Sequence, residues 1–408
     1  MEVILLLKII RVHILEDELF KHREIATLLH SLVSPLLTFP IMSFVPRKVF
    51  PDYRLPLSNF KGHHQKALTK FGHLAPQVDL VLEVRDSRAP ISTTNVLFDR
   101  VLARKEKLIL YSKQDLSILK PKLLAKWHAN EKFLFVDTRS KKDAKRILKA
   151  IEDHYTNMVP PPPLGLRTMI IGMPNVGKST LVNTLRSVGY IASLGDRVST
   201  KKSKVAKTGG QPGVTRNTSE IIRLSKDPDI LVYDTPGVFL PTVKDGETML
   251  ALGLVGCVHT SFIDPVIQAD YLLYLLNLQD PTGAKYNEYI DHPTNSIHEL
   301  LYNIAKKRKV LHKDDTYDEL GMANYWVNLW RQGKNQRYKG LFDKAAIEEA
   351  DATEVKRLLK LEQTRVKETT VHNKITNSLG EDGTGFSKNR KRTAKDREYD
   401  LRNQLFKL

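Results

Sequence analysis

The chain has 408 residues and a formal net charge of +18, from 64 Lys and Arg against 46 Asp and Glu. Its one cysteine, Cys257, excludes an intramolecular disulfide framework and argues against a Cys-based metal site, which fits a reducing compartment. No stretch reaches the roughly 18 to 20 apolar residues that span a bilayer, and the basic balance, with a pI near 9.6, favours polyanionic partners such as RNA or an acidic membrane surface.

Residues 1–50 read as an extension with weak helical character. VILLLKII is interrupted by Lys8, and LLHSLVSPLLTFPIM is broken by Pro35 and Pro40. Five acidic residues, Glu2, Glu16, Asp17, Glu18 and Glu24, fall where a mitochondrial presequence should be Arg-rich and acid-poor. A start at Met42 is one reading of this region. NFKGHHQKALTKFG then predicts a helix. His63 and His64 invite a metal or catalytic reading, but with no third ligand nearby they read as residues of a helix start.

Short apolar runs follow, each closing in polar residues: DLVLEV, KLILYS, KFLFVD, RTMIIG and DILVYD. Runs rich in Val, Ile and Leu, separated by helical patterns, predict buried parallel strands. EIIRLS adds a candidate antiparallel edge strand. The fold class is therefore α/β, a doubly wound, mostly parallel sheet with its ligand outside the carboxyl ends of the strands. VPPPP, 159–163, is a stiff linker between two α/β segments. These segments predict a nucleotide-binding domain over 51–245, an all-helical domain over 246–335 and a basic, partly disordered tail over 336–408. The tail contains the run KNRKRTAKDR.

GMPNVGKST, 172–180, has the Gly, four residues, Gly-Lys-Ser spacing of a phosphate-binding loop between a predicted strand and a predicted helix. Gly172 and Gly177 let backbone amides wrap phosphate oxygens, with Pro174, Asn175, Val176 and Thr180 completing the loop. The helix opening at Lys178 aims its N-terminal amides at them. Lys178 reaches the β and γ phosphates, and Ser179 offers its hydroxyl to Mg²⁺. DTPG, 234–237, is ordinary turn chemistry by itself. Downstream of a phosphate loop it reads as function, with Asp234 holding Mg²⁺ through water and the Gly237 amide sensing the γ phosphate. Between them, KTGGQPGVTRNT is a Gly-rich loop with Thr215 as a candidate second Mg²⁺ ligand, or else a plain flexible loop.

SKQD, 112–115, closes the KLIL strand. The Asp115 carboxylate can accept two hydrogen bonds from guanine N1 and N2, and the Lys113 stem can cover the base. A strand-to-helix turn with an Asp cap is the alternative. Ser112 stands where the usual pattern has Asn, and its shorter reach to the base and the phosphate loop predicts weaker guanine affinity. Asp137 and Thr138 of VDTRS sit where a second base-contacting loop belongs.

The order SKQD, VDTRS, GMPNVGKS, PGVT, DTPG resembles the circularly permuted GTPases of ribosome assembly, and VRDSRAPIS, 84–92, resembles their signature segment. FVPRKVFPDYRLPLSNFKGH narrows the resemblance to the mitochondrial ribosome-associated GTPase 1 branch, whose bacterial counterpart is ribosome biogenesis GTPase A. It covers about residues 44–280 and, more loosely, the helical region to about 335. The resemblance implies GTP or GDP with Mg²⁺ as ligands, slow hydrolysis, and assembly of the mitochondrial large ribosomal subunit through its rRNA. It also implies a place in the matrix or peripherally on the matrix face of the inner membrane. Val238 stands where familiar enzymes place a water-orienting Gln, so the resemblance implies a K⁺ ion beside the phosphates, with Asn175 as its ligand. Asn175, Lys178 and Gly237 are then the candidate catalytic residues. Arg85, Asp86 and Arg88 contact a partner, brace the site, or pair locally as Arg85 with Asp86. Two alternatives remain: a nucleotide switch without significant turnover, and a cytosolic or nuclear assembly GTPase. A membrane-surface signalling GTPase is disfavoured by the absence of a lipidation motif.

Overall fold

A computed structural model of the chain describes residues 44–60, 62–103, 105–194, 221–333 and 336–379. The chain divides into two compact units, Met1–Val45 and Pro46–Leu408, and everything below concerns the second.

Six strands form one sheet: β1 Leu80–Asp86, β2 Glu106–Ser112, β3 Phe133–Phe135, β4 Leu166–Gly172, β5 Ile221–Lys226 and β6 Asp229–Asp234. Their order is β3-β2-β1-β4-β6-β5, all parallel except the β5 edge, which runs antiparallel to β6. The central strands are buried on both faces, as expected of continuous apolar runs covered by helices. Strands β1 to β3 thus build one side of the sheet and β4 to β6 the other. They meet where β1 pairs with β4, which is where the strand order reverses and a ligand crevice opens.

Helices α1 Gly62–Leu74, α2 Leu97–Val101, α3 Pro121–Trp127, α4 Lys141–Thr156 and α5 Lys178–Leu194 cover this sheet. A helical part follows: α6 Gly246–Leu254, α7 Pro265–Gln279, α8 Ile297–Lys307, α9 Glu319–Gln332, α10 Lys344–Ile347 and α11 Ala352–Leu379. Its centre is α7, buried almost all round, with Trp326 and Trp330 of α9 fully buried. Asp264, Ser296 and Asp318 cap three of these helices through their side chains. Among the described residues, no helix is long and apolar enough to cross a membrane.

Beyond residue 336, where the sequence reads as a polar tail, α10 and α11 pack onto the body. Asp343 binds the Ile91 and Ser92 amides at 2.6 and 3.0 Å, and the Trp127 indole donates to the Ala350 carbonyl at 2.8 Å. The inward stripe of α11 is Val355, Leu359, Glu362 and Val366, spaced by four, three and four residues. A glutamate occupies one apolar position, which hides the stripe from a hydropathy reading. The KNRKRTAKDR run lies outside the described residues.

Glu362 is buried, and neither carboxyl oxygen has a hydrogen-bond partner among the described residues. Burial pushes this carboxyl up to about 7, against the opposing pull of Lys244 and Arg365. Between the ordinary glutamate range and that value, the folded protein keeps a proton the unfolded chain has lost, so stability falls as pH rises. Glu362→Gln should raise the melting temperature at about pH 8 and leave it unchanged near pH 4.5. Equal effects at both would contradict the burial assignment.

Candidate nucleotide-binding site

The predicted loops gather at the carboxyl ends of the strands. The phosphate loop leaves β4 and enters α5, with Gly172 and Gly177 at φ of 152° and 104° and Asn175 at 58°. Pro174 and Val176 are buried, and Thr180 lies half-buried in the first turn of α5. Lys178 is folded back, its amine donating to the carbonyls of Met173 at 2.7 Å and Gly172 at 3.2 Å. Burial pushes its amine down to about 8, while Asp234 pulls the other way. A triphosphate placed here would pull that value back up and exchange those carbonyls for phosphate oxygens. Ser179 donates to Asp234 at 3.1 Å, so a hydroxyl and a carboxylate stand side by side at the loop's edge. This all-oxygen pair fits Mg²⁺ chemistry. Thr215 lies outside the described residues.

Gly237 lies against the phosphate loop itself. A side-chain carbon there would stand 2.5 Å from the Pro174 Cα and 2.6 Å from its nitrogen, so only glycine allows the approach. Val238 is fully buried; its amide donates to the Gly172 carbonyl at 3.2 Å, and its carbonyl accepts from Asn95 at 2.8 Å. Asn95 carries no sequence signal, because its partner is 143 positions away.

On the base side, Ser112 differs from expectation. Its hydroxyl is 2.6 Å from the Val176 carbonyl and 3.0 Å from that of Arg85, so the short side chain does reach the phosphate loop. The reason is register: Ser112 pairs with Asp86 at the end of β2, close under the loop. Lys113 adopts a left-handed conformation, φ 56°, and its amine pairs with Asp86 at 2.7 Å. Asp115 is an exposed residue; partial burial of its carboxyl first, then the neighbouring Asp137, pushes that carboxyl up. Guanine N–H donors would reverse that shift. Thr138 stands at Gly177, 3.3 Å from where a side chain there would begin.

The pairing of Arg85 with Asp86 does not occur. Arg85 turns to Glu83 at 2.7 Å, because side chains two apart on a strand share a face. Asp86 is held by Arg88, Nε to Oδ1 at 3.0 Å and Nη2 to Oδ2 at 2.8 Å. Both side chains are fully buried. Burial opposes the Asp86 charge, and Arg88 and Lys113 more than offset it, holding the carboxyl well below its usual range. The remaining Arg88 nitrogen donates to the carbonyls of Arg331 at 2.9 Å and Trp330 at 3.3 Å, in the last turn of α9. Arg331 donates to the Gly253 carbonyl at 2.8 Å, and Asn175 to that of Gly256 at 2.8 Å. Helical part and nucleotide loops therefore form one hydrogen-bonded network. His64 is buried on α1 beside the Phe60 ring, and among the described residues no group of three or more His, Cys, Asp or Glu could hold a metal.

The family model for the 50S ribosome-binding GTPase matches residues 167–312. Mitochondrial GTPase 1 of Saccharomyces cerevisiae is 42% identical over 312 residues, 71% of this chain and 82% of that protein. This chain belongs to the mitochondrial GTPase 1 family. Mitochondrial ribosome-associated GTPase 1 of Xenopus tropicalis is 31% identical, over 70% of this chain and 91% of that one. A crystal structure of GNP-bound YlqF from T. maritima covers 70% of this chain and 99% of its own, with 23% identity and a TM-score of 0.46. The family fixes guanine nucleotide as the ligand and GTP hydrolysis as the activity.

Gly237→Ala should abolish GTP hydrolysis and weaken GTP and GDP binding together, because the clash falls on Pro174 of the phosphate loop, which cradles phosphates that both nucleotides carry. GDP titration and single-turnover hydrolysis check this; retained hydrolysis would contradict the contact.

Proposed function

We propose that this protein is a mitochondrial GTPase that acts on the large ribosomal subunit during its assembly, through contact with rRNA, and so supports mitochondrial translation. The observation that carries the reading is the network from both ends of the nucleotide site into the helical part, through Arg88 to α9 and Asn175 to Gly256. Such wiring suits a factor whose nucleotide state sets how a second domain meets a large partner. The names of the yeast and frog relatives support the mitochondrial and ribosomal assignment. The net charge of +18 supports an RNA partner.

In this reading the phosphate-loop amides and Lys178 hold the triphosphate, Asp115 selects guanine, and Ser179 with Asp234 positions Mg²⁺, with Thr215 as a further ligand. Mg²⁺ and K⁺, when bound, would supply positive charge to the phosphate oxygens. Val238 is buried and apolar, so no side chain at that position orients the attacking water. The Asn175 amide nitrogen donates to the Gly256 carbonyl at 2.8 Å, which ties the candidate K⁺ ligand to the helical part. Slow turnover in isolation follows, with the ribosome resetting the Asn175–Gly256 contact.

GTP hydrolysis by the purified protein in K⁺ buffer, with and without mitochondrial large subunits, tests this. The expected result is strong stimulation, lost in Na⁺ buffer and in Asn175→Ala. Tight GTP binding without stimulation would overturn the assembly reading in favour of a switch. Stimulation by cytosolic subunits alone would overturn the compartment.

A further inference from the structure

The outer face of α4 carries Lys141, Lys142, Lys145, Arg146 and Lys149, all exposed. Among the described residues only Arg146 has an acidic partner, Asp143 at 2.8 Å. Their spacing of one, three, one and three residues puts them on one side of the helix, in a row about 12 Å long. The opposite side, Ala144, Ile147, Leu148 and Ile151, is buried in the core.

This charge runs against the helix's own electrostatics. A helix favours acids at its N-terminus and bases at its C-terminus. Helix α4 largely does the reverse: four cations crowd its first two turns against the one acid Asp143, and Glu152 and Asp153 lie near its end beside His154. A locally unfavourable arrangement that a single carboxylate, Asp143, offsets only in part marks a functional surface. The charge that would compensate is an external polyanion.

We propose that the basic outer face of α4 docks the phosphate backbone of RNA and transmits its occupancy to the guanine loop. The surface belongs to the rRNA contact proposed above and rests on it. RNA is favoured over an anionic membrane because no apolar residue of α4 is exposed, whereas a membrane-surface helix buries an apolar face in lipid. Transmission follows the first turn. Asp143 accepts the Asp137 amide at 2.9 Å, Ser140 caps the helix at the Asp143 amide, and Thr138, between them, abuts Gly177. A phosphate pulling on the first turn thus pulls on the Asp137–Thr138 loop beside Gly177.

The test is binding of a mitochondrial large-subunit rRNA transcript across a salt series. The variants are the wild type, a triple Lys141→Gln, Lys142→Gln, Lys145→Gln variant, and a control triple, Lys306→Gln, Lys309→Gln, Lys313→Gln. Removing cations from a helix N-terminus relieves the dipole conflict, so the α4 variant should melt no lower than wild type. Its salt slope should fall by about 2 units and its affinity by about tenfold or more, with hydrolysis in the absence of RNA unchanged. An unchanged slope, an equal fall in the control, or loss of binding to cardiolipin-containing vesicles with RNA binding intact would each overturn the α4 surface alone. Absence of salt-dependent RNA binding by the wild type would instead overturn the rRNA reading itself.

Discussion

The buried Asp86 carboxylate is the interaction on which the rest of the site depends. It sits at the end of β1, where the strand order reverses, and two cations share it. Removing one partner from a fully buried ion pair costs roughly 3–5 kcal/mol, because the other charge is then stranded. Losing either Arg88 or Asp86 singly therefore weakens the site. Their geometry also commits each to a second contact. Asp86 holds Lys113 of the base loop, and Arg88 binds the last carbonyls of α9. Those carbonyls have no partner within their own helix, so a guanidinium there satisfies groups that a helix end would otherwise leave to solvent.

This changes what the permuted chain order accomplishes. The sequence alone suggests that the γ-phosphate loop, running straight into the helical part, is the route by which nucleotide state is transmitted. The structure adds a second set of contacts to the helical part, from the base side of the site. The base loop touches the end of α9 not only through charge but through packing, since a side chain on Gly333 would meet Leu116 at 2.3 Å. Arg331 lies beside Arg88, and burial first, then that neighbouring charge, pushes its guanidinium down to about 10. It stays charged and ties α9 to α6 through Gly253. The helical part is thus held at the base, by Arg88, and at the phosphates, by Asn175.

Strand identity, sheet class and the loop order are legible in the sequence because each is a local signal: apolar runs of strand length, Gly-Lys-Ser after a strand, Asp-Thr-Pro-Gly after another. The Arg88 contacts are not, since the partners lie 242 and 243 positions away. The reach of Ser112 is not either, because side-chain length says nothing of the register that brings β2 under the phosphate loop. Helix α11 escapes a hydropathy reading because Glu362 interrupts its apolar stripe. Thr215, the basic run near the C-terminus and the first 43 residues lie outside the described residues.

The most direct test of this account is hydrogen exchange at the last turn of α9, residues 329–333, with no nucleotide, with GDP and with a non-hydrolysable GTP analogue, in wild type and Arg88→Ala. The account predicts that either nucleotide slows exchange there in the wild type, since both carry the base. In Arg88→Ala that response should vanish while α7 stays protected. Exchange at α9 that ignores nucleotide, or a nucleotide response that survives loss of Arg88, would contradict it.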